Sequence, residues 1–218
     1  MTLPFTARDF FGVFGQYNEA MWPAPWLLTA VAGLVLLAAS RPTPRGSRSA
    51  ALGLALFWFW MGVVYHWIYF TEINPAAWLF GSLFLIQSGL LFWLGAIRAE
   101  LRFRWPGGWK GGASASILSY SLVVYPILNR LFGHHFPETP TFGLPCPTTI
   151  FTLGVLLWLR SPYPKAVFLI PWIWAVVGGS AAFILGVPQD LGLLVAGLVS
   201  VGFVWSFDRS LRGGQSAS

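Results

Sequence analysis

The chain has 218 residues, 56% of them hydrophobic and only 9% charged, where a soluble domain usually carries roughly 25%. So little charge cannot cover a surface in water, which excludes an ordinary soluble domain and makes lipid the solvent. The net charge of +6 and a pI near 10 do not describe a nucleic-acid patch, because the basic residues fall in short connections between apolar runs.

Residues 5–22 read as an interfacial helix. Thr6 and Asp9 have capping-box spacing, and Phe10, Phe14, Tyr17 and Met21 recur on one helical face. The stretch lacks the basic and apolar regions of a cleavable signal peptide. Apolar runs follow near 24–40, 50–70, 76–97, 113–132, 147–160, 166–186 and 189–207. A spanning helix needs about 20 such residues, and lipid leaves helices as the form that satisfies its own backbone. The expected class is therefore an all-α integral membrane protein with seven transmembrane helices.

Charge orients them. The loops 41–49, 98–112 and 160–165 and the tail from 208 carry eleven of the thirteen basic residues, which places them in the cytoplasm. The N-terminus is then outside and the C-terminus inside. Two stretches, "WPAPWLLTAVAGLVLLAASRPTPR" (22–45) and "LPCPTTIFTLGVLLWLRSPYPK" (144–165), share a plan of Pro-x-Pro, apolar helix, Pro-x-Pro and a basic residue. Both begin outside, so the repeat is parallel, with a 3+1+3 order. The expected organisation is an interfacial helix at 1–23, a first triple-helix repeat at 24–97 and a cytoplasmic loop with linker helix at 98–132. An extracytoplasmic His/Cys loop at 133–147, a second triple-helix repeat at 147–207 and a cytoplasmic tail at 208–218 complete it.

Polar residues inside the spans are few. Gln87, in the third span, is interhelical glue or a substrate contact. Pro126 breaks the hydrogen-bond ladder of the fourth and marks a hinge, with Tyr125, Asn129 and Arg130 around it as candidate pocket residues. Arg130 either snorkels to the interface or anchors an anion in an outward-facing pocket. Pro188, Gln189 and Asp190 open the seventh span, Asp190 being a helix-dipole partner or a proton or metal ligand.

The loop "HHFPETPTFGLPCPTT" (134–149) gathers two of three histidines and the only cysteine, so no intrachain disulfide is open to the chain. Cys146 falls at a helix N-terminus, a setting that favours thiolate. With His134, His135, Glu138 and His66 it makes a candidate set for a soft transition metal, Cu or Zn. The alternative is a neutral buried cysteine beside histidines that cap helices. Nothing reads as a phosphate loop, a nucleophile–base triad or paired hydrolytic carboxylates.

The stretches "LPFTARDFFGVFGQYNEAMWP", "FGLPCPTTIFTLG" and "VPQDLGLLVAG" resemble a family of small bacterial multi-pass membrane proteins catalogued as a domain of unknown function. The likeness covers nearly the full length and implies the bacterial inner membrane but no activity. The 3+1+3 plan is similar, in topology alone, to SWEET-type transporters. Three functions are therefore carried forward: a small-solute or ion carrier with its site between the triple-helix halves, an extracytoplasmic metal-binding or thiol-redox protein, and a membrane-complex subunit or homo-oligomer.

Overall fold

The computed structural model describes residues 4–215, with side chains as far as residue 206, and among them every regular element is helical. Helix α1 (Ala7–Ala20) starts on the expected capping box. Thr6 Oγ1 accepts from the Asp9 backbone N–H at 3.2 Å, and Asp9 Oδ2 accepts from the Thr6 N–H at 2.9 Å. Its Phe10, Phe14 and Tyr17 are buried against Tyr65 and Phe70. Helix α2 (Ala24–Ser40) leaves it at 82°, so α1 lies across one end of the helices that follow.

Helix α3 (Pro44–Trp60) continues through a π-helical stretch, Met61–Tyr69, and a 3-10 turn, Phe70–Glu72. Helix α4 (Ala77–Leu91) likewise ends in a π-helical segment, Phe92–Ile97. Helices α5 (Gly108–Ser119) and α6 (Tyr125–Leu131) are joined by the π turn Tyr120–Val124. That turn stands directly before Pro126, where the ladder lacks an N–H, and the Tyr125 N–H reaches back five residues to the Tyr120 carbonyl. Then come α7 (Pro145–Leu156), α8 (Ala166–Leu185), closed by Gly186 at φ +68°, a 3-10 turn Pro188–Asp190, and α9 (Leu191–Gln215).

Five helical stretches are long and apolar enough to cross a membrane: Pro44–Glu72, Ala77–Ile97, Gly108–Leu131, Ala166–Leu185 and Pro188–Ser206. A sixth is counted if the bent pair α1–α2 is one span. This differs from the expected seven chiefly at 147–160. Helix α7 has 12 residues, about 18 Å against a bilayer core of roughly 30 Å. It needs no lipid, because all of it except Cys146 is buried in protein, packed on α5, α8 and α9. Trp58 of α3 closes a further side, its indole N–H donating to Thr152 Oγ1 at 3.2 Å. Helix α2, likened to α7 by sequence, sits instead at the rim, packed chiefly on α3 with Trp26, Leu27, Leu34 and Leu37 facing out. Large apolar side chains are also exposed along α4, α8 and α9, among them Trp78, Leu79, Phe183 and Leu198.

The connections gather at two ends. At one, the Arg104 N–H donates to the Trp158 carbonyl at 2.9 Å, the Arg160 N–H to Arg102 at 3.0 Å, and the Phe103 N–H to Ser47 Oγ at 3.1 Å. Leu101 and Phe103 are buried while Arg102 and Arg104 are exposed, the alternation of an extended segment. At the other end lie α1, the loop 132–144 and the turn at 186–190. Arg209 and Arg212, assigned above to a tail, have side chains outside the described residues.

The short buried helix is tied down by α5 and the π turn that follows it. Ser121 Oγ donates to the Pro147 carbonyl at 2.7 Å; Ser114 Oγ donates to the Gly154 carbonyl at 2.9 Å and accepts the Trp158 indole N–H at 2.7 Å. Ser114→Val leaves a buried acceptor and a buried donor unpaired, a cost of about 2–3 kcal/mol. Its melting temperature in mild detergent should fall by about 5–10 °C. Ser180→Val, which removes an exposed local bond on α8, should move it by less than about 2 °C.

Candidate functional site

A largely apolar cavity of about 210 Å³ lies under α1. Phe10 and Phe14 roof it; Tyr65 comes from the π-helical stretch of α3, Cys146 from the first turn of α7, and Trp174, Gly178 and Ala181 from α8. Asp190, at the mouth of α9, puts the one carboxyl into its wall. The absence of a side chain at 178 makes this possible. A Cβ there would stand 2.8 Å from Leu193 Cδ2, 3.3 Å from Trp174 Nε1 and 3.5 Å from Cys146 Sγ. Glycine thus lets α8 close on α9 and leaves the indole edge and the thiol facing the space.

Asp190 is buried, 4% exposed. The Tyr125 hydroxyl donates to its Oδ1, and the Cys146 thiol adjoins the same carboxyl. The Trp174 indole N–H lies beside the same thiol and makes no hydrogen bond to a nitrogen or oxygen. A carboxyl in so apolar a space is costly unless its oxygens are paired, and its two neighbours are an O–H and an S–H. This pocket therefore offers one carboxyl-bearing corner in a largely hydrophobic chamber, where Asn74 and Ser180 are further polar lining residues.

A second, more polar chamber of about 400 Å³ is lined in part by Tyr125. Asn129, Arg130, His134, His135 and Thr139 line it together with Trp26 of α2. Tyr125 thus borders this vestibule with its ring and reaches the Asp190 carboxyl with its hydroxyl. The loop around the vestibule is pinned by amides. Asn18 donates to the carbonyls of Pro137 (2.6 Å) and Thr139 (2.8 Å) and accepts from the Thr141 hydroxyl (2.7 Å). Asn129 donates to the Pro140 carbonyl at 2.8 Å, and Gln189 Nε2 lies 2.9 Å from Asn129 Oδ1 and 3.0 Å from His134 Nδ1.

Tyr125, Asn129 and Arg130, chosen from sequence, thus share one chamber, and Pro126 lies among them. Gln87 does not join them: its amide donates to the Val167 carbonyl at 2.7 Å and ties α4 to α8. The metal set is a correction. His66 is fully buried among Phe80, Phe84 and Trp174, with both ring nitrogens unpartnered. His134 is held by Gln189 and stacks on Phe11 at 4.3 Å. Glu138 is exposed on the α1 side, beside Gly15, and Cys146 faces the other cavity. Among the described residues no three His, Cys, Asp or Glu side chains stand where one ion could join them, so no donor set for Cu or Zn is assembled. Adjacency in sequence does not bring them together because the prolines and Asn18 splay the loop over α1. Sequence reasoning missed Trp174, Tyr65 and the cavity-facing role of α1; its Phe10/Phe14 face was legible, but not what it would cover.

Two measurements follow. Cys146 is reached only through an apolar cavity, so N-ethylmaleimide should modify it at least about tenfold faster than a charged methanethiosulfonate reagent. The His134 imidazole is held below its usual pKa, first by partial burial and then by the neighbouring His135. The unfolded chain then binds the proton more readily, so stability is lost as pH falls below His134's ordinary value of about 6.5. Melting temperature should therefore drop between pH 7.5 and pH 5.5, and the drop should shrink in His134→Gln.

No curated protein and no solved structure matches the chain. The family described as "Family of unknown function (DUF6064)" matches over residues 7–213, and the chain belongs to that family.

Proposed function

We propose that the protein is a multi-pass membrane carrier whose site is the Asp190 cavity. Its solute is small and mainly apolar, with one hydrogen-bond-donating head. The observation that carries this reading is the buried carboxyl facing an apolar cavity. An ionisable group within a span is by default part of a solute, ion or proton site, and a concave apolar pocket with a few convergent polar groups is the usual form of a small-molecule site. The Asp190 carboxyl and the Cys146 thiol meet the head; Tyr65, Trp174 and the α1 phenylalanines take the apolar body.

Membrane embedding is supported by the apolar side chains exposed on α2, α4, α8 and α9. Seven passes are supported by connections that alternate between two ends, α7 crossing within protein and not within lipid. The end that holds Ser47, Arg102, Arg104 and Arg160 is rich in arginine, which favours the cytoplasmic side for it and the outside for α1. The 3+1+3 reading places Tyr65 and Phe70 in the first triple-helix half and Cys146, Trp174 and Asp190 in the second, so the cavity falls between the halves. Access is governed by the Tyr125–Asp190 hydrogen bond: with Tyr125 turned away, vestibule and cavity become one path.

Mass spectrometry of organic extracts from the purified protein tests the site. A small molecule should accompany the wild type and fall at least about tenfold in Ala181→Trp, which fills the cavity, and in Asp190→Asn, which removes the charge. Val176→Trp, on the exposed face of α8, should retain it. Equal small-molecule content in the wild type and Ala181→Trp would overturn the assignment. Uptake of the identified molecule into proteoliposomes then tests carriage.

A further inference from the structure

At the arginine-rich end an open cleft of about 510 Å³ lies between the extended segment 104–107 and the turn 158–163. Its walls are fixed by the Arg104–Trp158 and Arg160–Arg102 backbone hydrogen bonds, so its width is set by the fold. Three basic residues line it: Arg104, Lys110 and Arg160. Lys110 is buried, donates to the Tyr163 hydroxyl and lies 4.6 Å above that ring. Both arginines are exposed. Among the described residues no aspartate or glutamate lines it, and the nearest acid in sequence, Glu100, is paired with Arg98 at 2.8 Å. Trp105 and Trp158, edge to face at 5.0 Å, form an aromatic wall. The cleft also meets the start of α5, whose N-cap Gly107 supplies no side-chain cap, so first-turn N–H groups add partial positive charge.

We infer that this cleft binds a phosphate-bearing anion. Two guanidinium forks on a fixed frame match phosphate oxygens in a way that scattered surface charge does not. The chemistry is shared by two sources, the head group of an anionic phospholipid and free phosphate. The lipid source rests on the membrane reading, since basic pockets beside interfacial tryptophans recognise anionic head groups; the anion site itself does not.

The test is calorimetric titration of the full chain in an uncharged maltoside detergent. The probes are dihexanoyl phosphatidylglycerol, dihexanoyl phosphatidylcholine and inorganic phosphate. Phosphatidylglycerol should bind saturably and lose about tenfold in affinity in the Arg104→Gln/Arg160→Gln double variant. Arg45→Gln/Arg48→Gln removes the same charge from exposed positions at the same end, outside the cleft, and should cost no more than about twofold. Phosphatidylcholine, whose ammonium the cleft repels, should bind more weakly. Phosphate binding as strongly as phosphatidylglycerol, and lost in the cleft variant, upholds the site and assigns it to free phosphate; binding of the lipid alone assigns it to the membrane. Equal loss in both double variants, or no saturable binding of either phosphate-bearing probe, overturns the inference. Asp190→Asn should leave all three titrations unchanged, which separates this site from the carrier cavity.

Discussion

A 12-residue helix buried on every side sets the terms for everything around it. Neither water nor the length of a full span relieves its backbone ends, so neighbouring side chains must do so. Two of the first three residues of α7, Pro145 and Pro147, are prolines and bring no N–H to be satisfied. Ser114 of α5 donates to the Gly154 carbonyl near its end, and Ser121 of the following π turn donates to the Pro147 carbonyl near its start. Beyond its C-terminus the chain becomes extended and pairs with 102–104. The central position of α7 therefore determines that α5 must carry small hydroxyl residues, and that the connection after α4 must pass beneath the helix.

The same geometry produces both chambers. Because α7 begins well inside the protein, the segment before it has to descend from the surface, and that descent is the proline-rich loop 137–144. Asn18 and Asn129 hold its carbonyls at the rim. The space left above the first turn of α7 is shared among α1, α8 and the α5–α6 helix. Asp190 lines the apolar cavity, Tyr125 lines the polar vestibule, and their hydrogen bond links the two walls. Asn18 and Asn129 thus satisfy carbonyls of the loop that leads into α7, and the two chambers lie on either side of that loop's inner end.

How much of this could be read from sequence follows from what each feature depends on. The capping box of α1, the helical class and the long apolar stretches rest on local pattern, and the residues spell them out. The grouping of Tyr125, Asn129 and Arg130 was also legible, since one helix and a proline place them together. The environment of α7 was not read, although a signal was present. Thr148, Thr149, Thr152 and Gly154 are small or can bond within the protein, whereas the corresponding α2 carries Trp26, Leu34 and Leu37 outward. The supposed metal set failed for a different reason. Sequence proximity of His134, His135 and Cys146 says nothing about direction, and the fold sends one toward Gln189, one into the vestibule and one into the cavity. The Trp174–Cys146–Asp190 corner joins residues from three helices, so no local pattern could reveal it.

The Tyr125–Asp190 hydrogen bond is the point where structural satisfaction and function compete. As long as the tyrosine donates to the carboxyl, the buried oxygen is paired. A solute head that donates to the same oxygen makes the tyrosine dispensable there, and the cost of moving it falls by the value of the bond the solute supplies, on the order of 1.5–3 kcal/mol for a charged acceptor. The π turn at Tyr120–Val124, directly before Tyr125 and Pro126, is a place where the helix already departs from the regular ladder, so rotation there disturbs fewer α-helical bonds than it would in an unbroken helix. In the proposed carrier, exchange of one donor for another at Asp190 would couple occupancy of the cavity to its access.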